Sequence, residues 1–87
     1  MKIKNDYILR NTAGTWVAMV ISADNADVDG VLTLNETGAL LWKALERECE
    51  AVDLVRILME QYEIDEQEAT ADVSAFIEKL SNFGCLV

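Results

Sequence analysis

The chain has few of the side chains that usually carry out catalysis. It contains no histidine, which is the commonest general base and a frequent metal ligand. Its two cysteines, Cys49 and Cys85, lack Cys-x-x-Cys spacing and have no general base beside them in the sequence. A nucleophilic thiol needs such a base, and a structural zinc site needs more ligands at closer spacing. We therefore expect no catalytic residue, no metal site and no cofactor.

Carboxylates are the remaining candidates for acid–base chemistry. Glu46 and Glu50, and also Asp65 and Glu68, are three or four residues apart, so each pair would share one helix face. The same spacing is typical of exposed helix surfaces and of capping groups, and we interpret both pairs in that way. No glycine-rich loop connects a strand to a helix as nucleotide phosphates would require. The sequence favours a binding protein over an enzyme.

The 87 residues carry a formal net charge of −9, unevenly distributed. Residues 1–43 contain four basic and five acidic side chains, whereas residues 44–87 contain three basic and eleven acidic ones. Because phosphate binding depends on Lys and Arg, this balance argues against nucleic acid and anionic membranes as partners. A solubilising surface or a basic partner would each explain the acidic half.

Length and composition predict one globular domain covering residues 1–87, since 52% of the residues are hydrophobic and 26% are charged. No apolar run is long enough to span a bilayer, and no export signal is recognisable. We therefore expect a cytoplasmic protein with reduced cysteines.

Two strands are predicted at the start of the chain. Residues 7–10 and 15–21 have strand character, and in the Asn11-Thr12-Ala13-Gly14 connection Asn and Gly could adopt the positive φ of a hairpin turn. The second strand is apolar on both faces, which indicates cover on both sides. A loop, a second subunit or a partner protein could supply the second cover.

A third strand runs directly into a helix. After a loop predicted over Ser22 to Gly30, residues 30–34 alternate as a short strand, and from Asn35 the apolar spacing becomes helical up to Leu45. Asn35 is placed to cap this helix. A second helix is predicted over residues 51–62 with a weakly capped start near Glu50. A third runs from an Asp65/Glu68 capping box to Gly84 and Cys85, which suit a Schellman motif with Leu80.

Three strands followed by three helices define an α+β fold that resembles a winged helix-turn-helix, with helices on one face of a small antiparallel sheet. DNA binding is therefore an alternative function. The third helix would be the recognition helix, but between Asp65 and Phe83 it carries five acidic side chains and one basic one. A net charge of −4 on that element disfavours contact with phosphates.

Binding of an extended peptide suits the chain better. In a simple meander the third strand lies at the sheet edge, where its outer N–H and C=O groups lack partners. A peptide could add a strand there while alternate side chains enter apolar pockets. Leu32 or Leu34, with the flank of the third helix, would supply the pocket walls. Composition alone does not exclude an edge without function.

Three stretches follow one another along the chain: Leu34-Asn35-Glu36-Thr37-Gly38-Ala39 with Trp42, then Leu54 to Tyr62, then Asp72-Val73 with Phe76, Leu80 and Gly84. Together they resemble the PqqD-like family of RiPP recognition elements, named for a small protein of pyrroloquinoline quinone biosynthesis. The order and spacing of the three stretches are more specific for this family than any single stretch is. The Cys49-Glu50 pair departs from the family, which has a small polar residue before the second helix.

The resemblance implies a winged-helix-like fold that binds peptide and not DNA. Family members bind the leader region of a ribosomally made precursor peptide as a strand added to the third strand, and present it to a modifying enzyme, often a radical S-adenosylmethionine enzyme. Carried over by position, the peptide-binding residues are Val31, Leu32, Thr33 and Leu34 on the strand and Asp72, Ala75, Phe76 and Lys79 on the third helix.

The resemblance does not select a pathway. Quinone cofactor synthesis, radical-modified peptides and lasso peptides all remain open. A structural adaptor with its second strand covered by a partner subunit, and a homodimer, also remain open.

Overall fold

A computed structural model describes residues 1–20 and 31–87. These residues form a three-stranded antiparallel sheet followed by three helices, which confirms the predicted α+β fold. Ile21, predicted as the end of the second strand, and the predicted loop from Ser22 to Gly30 lie outside the described residues. The elements are β1 (Tyr7–Thr12), β2 (Thr15–Val20), β3 (Val31–Leu34), α1 (Glu36–Ala44), α2 (Ala51–Gln61) and α3 (Glu66–Phe83).

The sheet has the order β1-β2-β3, so β3 lies at an edge as predicted. β1 is two residues longer than expected, because the hairpin turns on Ala13 and Gly14 alone, with φ of 53° and 86°. The prediction of a positive φ at Asn11 was wrong. Asn11 belongs to β1, and its Oδ1 accepts a hydrogen bond from the Gly14 N–H at 3.2 Å. Two positive φ angles suit a two-residue hairpin because they match the strand twist.

The start of α1 is capped as predicted. The Asn35 Oδ1 accepts a hydrogen bond from the Gly38 N–H at 2.7 Å, and Asn35 itself keeps an extended backbone. β3 therefore passes into α1 through a single residue. Leu41, Trp42 and Leu45 are almost completely buried, so this helix anchors the core.

The two later helices also have defined ends. α2 begins directly after Glu50, as predicted, but its start is better capped than expected, because the side chain of Asp53 accepts a hydrogen bond from the Glu50 N–H at 2.9 Å. α3 begins with Asp65 Oδ1 accepting the Glu68 N–H at 2.8 Å. It ends at Gly84, whose φ of 84° suits glycine. The adjoining Cys85 is buried beside Leu80, as predicted.

The N-terminal segment ties the helix ends together, which the sequence did not predict. The N–H of Ile3 donates to the Leu45 carbonyl at 2.8 Å, and the N–H of Lys4 donates to the Cys85 carbonyl at 2.8 Å. Ile3 also forms an isolated bridge with Leu86 and is buried. The ends of α1 and α3 are thereby held beside the same short segment.

None of the helices in the described residues combines the length and the apolar composition needed to cross a lipid bilayer.

We expect Asn35→Ala to lower the free energy of unfolding by about 1 kcal/mol, because the capped N–H of Gly38 loses its acceptor. Urea denaturation would measure the change. Asn82→Ala, at an exposed position of α3, is the control and should stay within about 0.5 kcal/mol of the parent. Equal losses from both substitutions would contradict the role of the cap.

Candidate functional site

A cleft of about 310 Å³ lies between α1, α3 and the end of β3. Its floor is apolar, because Leu34, Leu41 and Phe76 are all buried members of the core. The remaining lining residues form its walls and rim: Asn35, Thr37, Gly38, Asp72, Ala75 and Lys79. The arrangement suits an apolar side chain that enters from outside and is flanked by polar groups.

The α3 wall comprises all four helix residues that the resemblance implied. Asp72, Ala75, Phe76 and Lys79 recur at three and four residues, so they share one helix face. Phe76 turns into the core, while the small Ala75 is exposed and leaves room above it. Asp72 and Lys79 are exposed and opposite in charge, and their backbone positions are about 10.5 Å apart along the helix axis, given a rise of about 1.5 Å per residue.

The four predicted residues of β3 divide between the two faces of the sheet. Leu34 is buried and lines the cleft. Leu32, opposite Ala18 in the register, is half-buried against the core but does not line the cleft. Val31 and Thr33 are exposed on the other face, since successive strand side chains alternate. For these two residues the backbone, and not the side chain, is available at the edge.

One contact links α3 to the backbone of β3. The Lys79 Nζ donates a hydrogen bond to the Thr33 carbonyl oxygen at 3.4 Å. In the described part of the chain, β2 is the only strand that pairs with β3. A positively charged lysine beside such an edge is one of the devices that discourage unspecific strand pairing.

The α1 wall was missed by sequence reasoning, which assigned no site residue to α1. Asn35, Thr37, Gly38 and Leu41 line the cleft. A Cβ at Gly38 would lie 3.2 Å from the Leu34 Cβ and 3.3 Å from the Asn35 Oδ1, so this glycine permits the close approach of α1 to the strand end. A glycine within the first turn of the helix that follows the strand was the signal available in the sequence.

The cysteines lie away from the cleft. Cys85 is buried, and this burial raises the pKa of its thiol. Cys49 is partly buried and its Sγ lies 3.2 Å from the Ala44 carbonyl oxygen, to which the thiol donates. Among the described residues, no group of three or more His, Cys, Asp or Glu side chains could hold a metal ion.

Comparison with protein families identifies the chain. The model of the family "Coenzyme PQQ synthesis protein D (PqqD)" matches residues 18–86. The chain belongs to the PqqD family. The match begins within β2 and includes β3, α1, α2 and α3, so every wall of the cleft lies within the PqqD region. No curated protein matches the chain significantly.

Two solved structures share the fold. One is TbiB1 in complex with the TbiA(beta) leader peptide, at 20% sequence identity and a TM-score of 0.76, covering 99% of this chain and 94% of that chain. The other is a lasso peptide synthetase B1 complexed with the leader peptide, at 20% identity and a TM-score of 0.73, covering 97% and 93%. At 20% identity, these similarities show that this chain shares its fold with both proteins.

We expect the Cys49 thiol to react with iodoacetamide at pH 8 much faster than the Cys85 thiol. Burial limits access to Cys85 and, by raising its pKa, lowers its thiolate fraction at that pH. Peptide mass spectrometry after timed quenching would measure both rates. In concentrated urea the two rates should become similar, and similar rates in the native protein would contradict the burial of Cys85.

Proposed function

We propose that this chain is a non-catalytic module that binds the leader region of a ribosomally synthesised precursor peptide as a strand added to β3. The observation that carries the proposal is the edge strand beside an apolar cleft. The backbone of such an edge binds an extended chain without regard to sequence, and a neighbouring pocket selects among side chains. Both requirements are present within one small region.

The family and the neighbouring structures support the same function. PqqD-family membership makes a precursor peptide the expected partner. The two structural neighbours are complexes with leader peptides, although at 20% identity their likeness by itself concerns the fold. The proposal that this chain binds such a peptide therefore rests on its family membership and on the cleft together.

Each predicted residue has a role in the proposed complex. Val31 and Thr33 supply backbone groups to the added strand, because the Thr33 carbonyl faces the free edge and alternate residues of a strand direct their N–H and C=O groups to the same edge. Leu32 and Leu34 lie between and after them, with their side chains turned toward the core. The side chain of Leu34 and the ring of Phe76 form the apolar floor, and Ala75 leaves the space that a peptide side chain fills. Asp72 and Lys79 lie at the rim and contact polar parts of the peptide.

The module would act with a modifying enzyme, such as a radical S-adenosylmethionine enzyme, to which it presents the bound precursor. We place this work in the cytoplasm and assign it to residues 1–87 as one domain. A homodimer is a further possibility, which sedimentation of the purified chain would decide.

Nucleic acid has no place in the proposal, since α3 is strongly acidic and would be repelled by phosphates. Retardation of DNA by this protein in a gel at low salt would contradict the exclusion of nucleic acid as a partner.

The first test is an NMR titration with the leader region of the precursor peptide encoded beside this gene. We expect saturable shifts of the β3 amides and of the α3 residues that line the cleft. Isothermal titration would give the affinity. Absence of binding to any neighbouring precursor, or shifts confined to other surfaces, would count against strand addition at β3.

A matched pair of substitutions tests the cleft itself. We expect Ala75→Phe to weaken leader binding about ten-fold or more, or about 1.4 kcal/mol, because the new ring occupies the space above Phe76. Ala71→Phe is the control, since Ala71 is exposed one turn earlier on the same helix and does not line the cleft. Both variants exchange the same residue types in an exposed helix, so their stabilities should be similar.

Calorimetric titration of the two variants with one leader peptide would measure the difference. Equal affinities would remove the cleft from the binding site, even if the peptide still binds elsewhere on the chain.

A further inference from the structure

The two charged residues at the rim of the cleft stand at opposite ends of it. Asp72 and Lys79 are the only charged side chains that line this cleft among the described residues. They are separated by seven residues on one helix, or about 10.5 Å along the axis. Three or four residues of extended chain span about 10 to 13 Å. A peptide strand that crosses the cleft therefore passes both charges within a few residues.

The contact between Lys79 and Thr33 orients the cleft relative to β3. The Lys79 Nζ lies 3.4 Å from the Thr33 carbonyl oxygen, so the positive end of the cleft is beside the strand. The wall opposite α3 begins at Leu34, since no described residue earlier in the chain lines the cleft. The other residues of this wall come after Leu34 in the sequence: Asn35, Thr37, Gly38 and Leu41. The negative end, at Asp72, therefore lies beyond Leu34 on the α1 side.

The direction of an added strand follows from the existing sheet. β1 with β2 and β2 with β3 are both antiparallel pairs, and antiparallel pairing is slightly more stable per residue than parallel pairing. An added strand antiparallel to β3 would pass the Asp72 end with its N-terminal part. It would reach the Lys79 end with its C-terminal part. Backbone direction and charge order are thus coupled.

We propose that the cleft selects leader peptides in which a basic residue precedes, and an acidic residue follows, the apolar side chain that enters it. This inference rests on the proposed function and adds to it the charge order and direction of the peptide. The basic residue pairs with Asp72. The acidic residue attracts the Lys79 ammonium, which leaves the Thr33 carbonyl free for the incoming strand. A peptide with the acidic residue first and the basic residue last would bring like charges together at both ends of the cleft.

Two synthetic peptides of equal composition test the order. In one, Lys, Leu and Asp occupy alternate positions of an extended segment in that sequence, and in the other Lys and Asp are exchanged. NMR titration gives both the affinity and the location of each peptide. Exposed ion pairs are individually weak, so we expect the first peptide to bind about five-fold more tightly than the second at low salt. The preference should shrink at high salt because the charges are exposed.

A variant with the charges exchanged is the decisive comparison. Asp72→Lys combined with Lys79→Asp leaves the net charge at −9 and should reverse the preference between the two peptides. The comparison is made between peptides on the same variant, so any general effect of the substitutions, including loss of the Lys79 contact with Thr33, cancels. Glu78→Lys, at an exposed position of α3 outside the cleft, is the control and should keep the parent's preference.

The outcomes separate this inference from the function on which it rests. Shifts of the β3 amides with equal affinity for both peptides, or with the second preferred by the parent, would overturn the charge order and leave strand addition intact. An exchanged variant that keeps the parent's preference would also overturn it. If neither peptide shifts the β3 amides at millimolar concentration, strand addition and the charge order fail together.

Discussion

The incomplete hydrogen bonding of β3 is the constraint on which the rest of the arrangement depends. Within the described residues, β3 pairs with β2 on one side only. Backbone N–H and C=O groups require partners, and water supplies them in the absence of another strand. A short strand of four residues, with a lysine beside it, limits unspecific pairing while keeping the edge available. The cleft matters because it borders this edge.

The junction between β3 and α1 gives the edge its position. Asn35 ends the strand and caps the helix, so Leu34 is held at the point where the apolar core meets the cleft. Gly38 lets α1 approach Leu34 closely. The N-terminal segment binds the ends of α1 and α3, so that both walls of the cleft are fixed to the same structure. Residues at this junction therefore both stabilise the fold and line the cleft.

Charge acts at two scales in this protein. The net charge of −9, concentrated in the helical half, disfavours phosphate ligands as a class. At the cleft the local pattern is different, because Asp72 and Lys79 present one charge of each sign. Exposed pairs contribute little free energy, so their proposed effect is on the order and direction of a peptide. The apolar floor and the strand backbone would supply most of the affinity.

The sequence by itself determined the elements, since periodicity and capping residues are local properties. The strand-to-helix switch at Asn35 and both ends of α3 were predictable for that reason, and the spacing of Asp72, Ala75, Phe76 and Lys79 placed them on one face. Only the tertiary structure decided that α1 forms the wall of the cleft opposite α3 and that the Thr33 carbonyl accepts a hydrogen bond from the Lys79 ammonium. It also decided that the N-terminal segment joins the ends of two helices. These contacts connect residues distant in the chain, and no local pattern encodes the distance between them.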